Sequence, residues 1–410
     1  MPHVLTKAGR MIVLRVFLPF AAGYFLSYLF RTVNAVAAPH IMADLGLGPG
    51  LIGLLTGAYF LAFAAAQLPL GYALDRFGPR RSEATLLTVA AGGSLLFAMA
   101  DSVTGLVIGR ALIGLGVSAC LMASLKIFAL WYPRERLPLI NGMVLATGGL
   151  GALAATTPVE VALGLTDWRG VFVWLAALTL AAAAAIIGVV PEKARTGPGG
   201  SPPAGLDGLR RVVGDPRFWR IAPVTAMVQA AYLAIQGLWA GAWLRTVAGH
   251  DALSAANHLL VMAVAMVAGY LALGALSTHL TRRGYATLHV AAGGMLIFLL
   301  VQVGLVLQLT WLSWPLIILF GFFGTAGTLS FAVLAGIFST DIVGRANTTL
   351  NLLIFVGAFA VQAGMGWLIE HWPAGGYPAA FGIVLVLEVA GFAWLLVSPA
   401  RLDGSTEPPQ

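Results

Sequence analysis

Apolar residues run along this chain in long blocks, broken at intervals by short polar turns. A helix crossing a bilayer takes about 20 consecutive apolar residues. Strands of a membrane barrel would instead give alternating segments of about ten residues. The blocks here are long and unbroken, so helices are expected. Twelve are predicted, at residues 12–38, 51–74, 83–101, 104–131, 138–164, 169–190, 218–246, 255–280, 286–309, 311–338, 346–370 and 376–398. The run TGPGGSPPAG within residues 191–217 reads as a linker between the sixth and seventh. This predicts an all-α membrane protein of two six-helix bundles around a central cavity. The bundles are residues 1–190 and 218–398, with a linker at 191–217 and a polar tail at 399–410.

Composition agrees. Of 410 residues, 59% are hydrophobic and 10% charged, against about 25% charged in an average soluble domain. Too few polar groups exist to cover a water-soluble enzyme of this size. The formal charge of +7 could suggest a nucleic-acid partner, but the basic residues sit in short turns between apolar blocks. That placement points to control of topology. With the N-terminus in the cytoplasm, Lys7, Arg10, Arg15, Arg76, Arg80, Arg81, Arg134, Arg136, Lys193, Arg195, Arg210, Arg211, Arg217, Arg220, Arg282, Arg283, Arg345 and Arg401 all fall inside, 18 of 23 basic residues. Both termini are therefore expected in the cytoplasm of a bacterial inner membrane. The single cysteine, Cys120, permits no intrachain disulfide. The first block is long enough to stay as a span, so no cleavable signal is expected.

The chain repeats itself. GYALDRFGPRR starts at Gly71 and GALSTHLTRRG at Gly274, each after the second helix of its half. Duplicated six-helix halves are a transporter pattern. The first copy also resembles the hallmark loop of the major facilitator superfamily, on Gly71, Asp75, Arg76, Gly78, Arg80 and Arg81. Arg110 with Gly114 and Gly116 resembles its helix 4 motif, and Trp131, Pro133, Glu135 and Arg136 its helix 4–5 connection. The resemblance implies alternating-access transport, with helices 1, 4, 7 and 10 lining the cavity. The loop motif is then expected to act as a conformational latch. Its second copy is degenerate, with Thr278 and His279 at the Asp-Arg positions. The Gly-Pro pair of drug antiporters is missing from helix 5, and the Asn of nitrate carriers from helices 5 and 11.

Charges inside the blocks are the candidate chemistry, since each is costly in a bilayer. Arg31 lies in helix 1 and Arg110 in helix 4, at similar depth, and no carboxylate is read in helices 1, 2, 4 or 5. A bound anion would compensate them, and the guanidinium fork matches carboxylate oxygens. The pattern is similar to organic-anion carriers with Arg in helices 1 and 4. Some of those add an acid two turns after the helix 4 Arg, where this chain has Val117. Tyr24, Ser27 and Asn34 share the Arg31 face at helical spacing. Gln229, Tyr232, Gln236, Trp239 and Trp243 form a face of helix 7, and Asn347, Asn351 and Gln362 a weaker one on helix 11. The expected substrate site is Arg31, Arg110, Tyr24, Asn34, Gln229, Tyr232, Gln236 and Trp239. Lys126 is read as snorkelling towards the cytoplasm and Glu388 as packing on a polar neighbour. His258, Met262 and Met266 read as packing before soft-metal binding. No ATP-binding loop or HExxH pattern occurs, so no enzyme, metal or cofactor is expected.

The expected function is secondary transport of a small organic anion by a monomer, the coupling ion, H+ or Na+, being open. The alternatives are efflux of a drug-like molecule or metabolite by antiport, and a non-transporting membrane sensor.

Overall fold

A computed structural model describes residues 12–133, 136–191, 206–339, 342–372 and 375–398. The described residues form helices joined by short turns. Eleven segments are long and apolar enough to cross a membrane, and a bent pair, Leu139–Ala154 with Thr157–Leu165, makes twelve. Span 1 is built from Leu18–Thr32 and Asn34–Leu45, after a π-turn at Val13–Phe17. Spans 2 and 3 are Pro49–Arg76 and Gly78–Met99. Span 4 is Val103–Val117 with Cys120–Trp131, span 5 the bent pair, and span 6 Trp168–Val189. Span 7 joins Pro216–Ala234 to Ala240–Thr246 through a π-turn at Ile235–Trp239. Spans 8 and 9 are Ala252–Thr281 and Thr287–Val306. Span 10 joins Ser313–Phe323 to Leu329–Ile337 through a tight 3₁₀ stretch. Spans 11 and 12 are Val343–His371 and Gly376–Val397.

The breaks have local causes. Pro158 cannot continue a hydrogen-bonded helix and crowds the carbonyl four residues back, Ala154, where the first part of span 5 ends. Caps fix several starts: the side chains of Ser102, Asp167 and Asp251 accept from the amides of Gly105, Gly170 and Ser254. Each such cap is worth about 1 kcal/mol.

Three boundaries differ from the sequence expectation. Span 1 continues past residue 38 to Leu45 and stops at Gly46, whose φ is 63°. Arg31 is therefore deeper than its distance from residue 38 implied. The expected linker contains a helix, Leu206–Gly214; its residues 192–205 and the tail at 399–410 lie outside the described residues. The hallmark segment is not a loop. Gly71 to Arg76 finish span 2, Gly78 to Arg81 begin span 3, and Phe77 alone intervenes. The reversal needs φ 77° at Gly78, a conformation open chiefly to glycine.

With an even number of spans, the linker helix lies on the face where span 1 begins and span 12 ends, called here the terminal face. The opposite, far face carries the turns after each odd-numbered span. The first and last six spans meet along a seam where span 2 packs on span 11, span 1 on span 7, and span 5 on span 8. Near the far face Glu370 of span 11 accepts a hydrogen bond from the Gly50 amide at the start of span 2 (3.1 Å). The Thr157 hydroxyl of span 5 donates to Asn257 of span 8 (2.9 Å). Towards the terminal face, Asn351 donates to Gln67 (3.4 Å). Spans 1 and 7 approach closely at Gly241, where a Cβ would sit 2.1 Å from the Ala35 carbonyl oxygen.

Candidate anion site

Arg31 stands on span 1, half-way along a helix with few other charges. It is 8% exposed, and its Nε has no hydrogen-bond partner. Its Cζ lies 4.5 Å from the Tyr28 ring centre, 5.5 Å from Phe63 and 5.4 Å from Phe355. Phe63 comes from span 2 and Phe355 from span 11, and these two rings stack at 4.2 Å. Aromatic faces attract a cation but accept no directional hydrogen bonds as a carboxylate does. The charge is thus cradled while an N–H remains available.

Tyrosine hydroxyls surround it. Tyr24, Tyr28 and Tyr59 lie within electrostatic reach of Arg31. Tyr24 and Tyr28 meet edge to face at 5.2 Å. Tyr270 of span 8 interacts with Tyr24, Tyr28 and Tyr232, so this cluster joins both sets of six spans. Tyr270 is also 37% exposed although it sits among inward-facing rings. The Tyr59 hydroxyl donates to the Ser27 carbonyl at 3.3 Å.

Arg110 is placed differently. It is fully buried, and its Nη1 donates to the Phe30 carbonyl of span 1 at 3.3 Å. Its Nε and Nη2 have no partner. Its Cζ lies 5.3 Å from the Tyr59 ring and 5.9 Å from that of Phe97 on span 3. Tyr59 therefore interacts with both guanidinium groups. The bond to Phe30, the neighbour of Arg31 in sequence, brings the Arg110 guanidinium level with this part of span 1.

The remaining expected residues divide. Asn34 donates to the Thr56 hydroxyl of span 2 (2.8 Å), and Ser27 to the Val117 carbonyl of span 4 (3.4 Å). Both are engaged in helix packing. Gln236 contacts Met266 through its Nε2 (3.3 Å). With Thr32, Ala35, Ala152, Thr156 and Leu259 it lines a narrow cleft between spans 1, 5, 7 and 8. Gln229 Oε1, the Tyr232 hydroxyl and the Trp239 and Trp243 indole N–H groups are buried without partners. Gln229 lies against Gly327, Tyr232 against Gly324, and Trp239 against Gly53. Span 7 thus spreads its polar face over span 10 and the seam. On span 11, Gln362 is buried with neither amide atom bonded.

Other marked residues find local roles. Glu388 accepts from Gln302 of span 9 at 2.6 Å, the polar neighbour expected for it. His258 stacks on Trp314 at 3.6 Å and meets the Ser313 hydroxyl. Lys126 is half-buried in the Cys120–Trp131 segment. In the hallmark segment, Arg80 donates to the carbonyls of Ile186 (3.3 Å) and Ile187, capping the last turn of span 6. Arg76 donates to the Tyr72 hydroxyl. The Asp75 side chain lies outside the described residues, as do Glu135 and the basic residues Lys7, Arg10, Arg134, Lys193, Arg195 and Arg401.

Sequence reasoning missed Tyr28, Tyr59, Phe63, Tyr270 and Phe355, because aromatic residues in an apolar helix look alike whether they face lipid or a cation. It also missed two acids. Glu160, in the far segment of span 5, faces His40 at 3.6 Å and not an arginine. Glu83, expected at the first residue of helix 3, is fully buried one and a half turns inside span 3.

Comparison with known proteins settles the family. A model of the Major Facilitator Superfamily matches residues 20–329. The chain belongs to the major facilitator superfamily. A bacterial homologue of the human lysosomal transporter Spinster, inward-facing and occupied, superposes with a TM-score of 0.75 at 20% identity, covering 96% of this chain and 97% of that one. A D-xylose–proton symporter gives 0.72 at 16% identity, covering 96% and 100%. At these identities the likeness shows the superfamily fold alone. Among curated relatives, a probable sulfoacetate transporter, SauU, of Cupriavidus necator is 29% identical over 157 residues, 38% of this chain and 36% of that protein. The hexuronate transporter of Escherichia coli is 29% identical over the same length and shares. The match thus spans about a third of these relatives.

Proposed function

We propose that this superfamily member is a secondary transporter that moves a small organic anion by alternating access, with the carboxylate or sulfonate held at Arg31. The observation that carries this is the Arg31 guanidinium, buried mid-span without an acidic partner among the described residues and cradled by Tyr28, Phe63 and Phe355. A cation so placed favours an anionic occupant. Tyr24 and the neighbouring Tyr270 supply hydroxyls to a polar body, and span 7 adds the Tyr232 hydroxyl, the amides of Gln229 and Gln236 and the indole N–H of Trp239. Arg110 adds positive potential and fixes span 1 through Phe30. Asn34 supports the site by tying span 1 to span 2. The names of the sulfoacetate and hexuronate transporters fit this class. The loop charges support chain ends on the cytoplasmic side, and the carrier is proposed to work as a monomer in a bacterial inner membrane. Residues 1–190 and 218–398 are then the moving halves.

The test is a thermal-shift series on the purified chain with D-glucuronate, D-galacturonate, sulfoacetate and tetraphenylphosphonium. A ligand that prefers the folded state raises Tm, by an amount growing with its concentration over Kd. At least one organic anion is expected to raise it. A shift with the cation and with none of the anions favours efflux of a drug-like molecule instead.

The hallmark segment is proposed as a latch whose residues are Gly71, Asp75, Arg76, Gly78, Arg80 and Arg81. Arg80 ties span 3 to span 6, so the segment stiffens one half as a unit. Asp75→Asn, which removes charge at nearly constant shape, is expected to leave ligand binding intact and slow transport into liposomes, because it shifts a conformational equilibrium. Wild-type transport kinetics for Asp75→Asn leave Asp75 as a turn residue only.

A further inference from the structure

Glu83 is not part of the site just described. It lies in span 3 on the terminal-face side and is fully buried, and neither carboxyl oxygen has a hydrogen-bond partner. A carboxyl group left so is uncommon, since buried acids are ordinarily paired. Its surroundings are small and polarisable. A Cβ added at Gly23 of span 1 would lie 2.3 Å from Glu83 Oε1, so glycine there leaves the room the carboxyl fills. The titratable group facing it from span 4 is Cys120, itself fully buried. On span 1, Tyr24 follows Gly23 and interacts in turn with Cys120 and Arg31. No basic side chain acts on Glu83 from any neighbouring span, among the described residues.

We propose that Glu83 is a proton-binding site that couples proton movement to anion movement, making the protein a proton-coupled carrier. The proposal rests on Arg31 as the anion site. Gly23 precedes Arg31 by eight residues, about 12 Å along span 1. The two sites are therefore separate but share a helix. Like-charge repulsion links them. An anion on Arg31 and an ionised Glu83 repel each other across the water-poor bundle, whatever positive charge Arg110 adds. A proton on Glu83 removes that repulsion, so the proton favours the anion and the anion favours the proton by the same factor. Proton and anion are then favoured to cross together. The step itself is simple protonation: water at one face gives a proton to the Glu83 carboxylate, and the carboxylic acid returns it at the other. Gly23 lets spans 1, 3 and 4 close around the neutral acid, whereas an ionised one requires water between them.

Two measurements test this on the full chain. Infrared titration of wild type, Glu83→Gln and Glu388→Gln reads buried carboxylic acids directly. Wild type is expected to show a carboxylic C=O band that disappears as pH rises, that is missing in Glu83→Gln and that persists in Glu388→Gln. No titrating band lost in Glu83→Gln overturns the proposal whatever the substrate is. In proteoliposomes with D-glucuronate or sulfoacetate, an imposed proton gradient is expected to drive accumulation by wild type. Glu83→Gln is expected to exchange labelled for unlabelled solute and to lose gradient-driven accumulation. Accumulation equal to wild type overturns the proposal. If neither solute binds while the Glu83 band titrates, the anion reading fails and the proton site stands.

Discussion

Arg31→Ala is expected to weaken binding of the anion by about 30- to several-thousand-fold. Removing one partner of a buried charged pair costs about 2–5 kcal/mol, and each 1.4 kcal/mol is about a decade in Kd. The loss has two sources. The anion gives up charge-assisted hydrogen bonds, and it is left beside the rings of Tyr28, Phe63 and Phe355, which offer no such bonds. Arg31→Lys keeps the charge but loses the planar fork, so it is also expected to bind poorly. Arg110→Ala is expected to weaken binding and lower Tm as well, because Arg110 holds the Phe30 carbonyl in a fully buried position. Lys126→Ala, on the half-buried lower part of span 4, serves as a charge control and is expected to have little effect. Titration calorimetry with the anion found by thermal shift reads all four. Wild-type affinity in Arg31→Ala ends the anion reading.

Gly241→Ala is expected to hold the far face open. The added methyl would sit 2.1 Å from the Ala35 carbonyl oxygen, far inside van der Waals contact, and both partners are backbone or close to it. Overpacking of this kind costs about 1–3 kcal/mol. The cost falls only on the state in which spans 1 and 7 touch, so the equilibrium shifts away from it by about 5- to 150-fold. An impermeant maleimide can read this at Ala38→Cys in a Cys120→Ser background. Ala38 is nearly fully buried on the far part of span 1. Faster labelling from the periplasmic side and slower transport are expected together. Unchanged labelling and transport in Gly241→Ala would mean the seam does not open at this contact. Labelling only from the cytoplasmic side would reverse the proposed orientation.

Much of this architecture could be read from the chain because a bilayer imposes a length on apolar helices. The spans were legible as blocks, and the buried arginines as charges within them. Boundaries failed where polarity and helicity part company. HIMADL at the end of span 1 and GPRRS at the start of span 3 are polar enough to look like turns, yet both are helical. The second case hid Glu83, which seemed to begin a helix and lies instead inside one. The Arg31 cradle failed to show for another reason. Phe63 and Phe355 are distant in sequence and come together only where spans 2 and 11 cross, which no periodicity along one helix records.

The ring of Phe355 has a consequence for the kinetics of the cycle. It belongs to span 11, so it can cover the Arg31 guanidinium only while spans 2 and 11 are in contact near it. An incoming anion then competes with an aromatic face on one side of the membrane and meets a less shielded cation on the other. The two half-cycles of the proposed carrier are therefore expected to have unequal affinities. Such asymmetry cannot alter the final concentration ratio, which the driving gradient alone determines. It does decide how dilute a solute can be before uptake from each side falls off, and so which compartment the carrier scavenges.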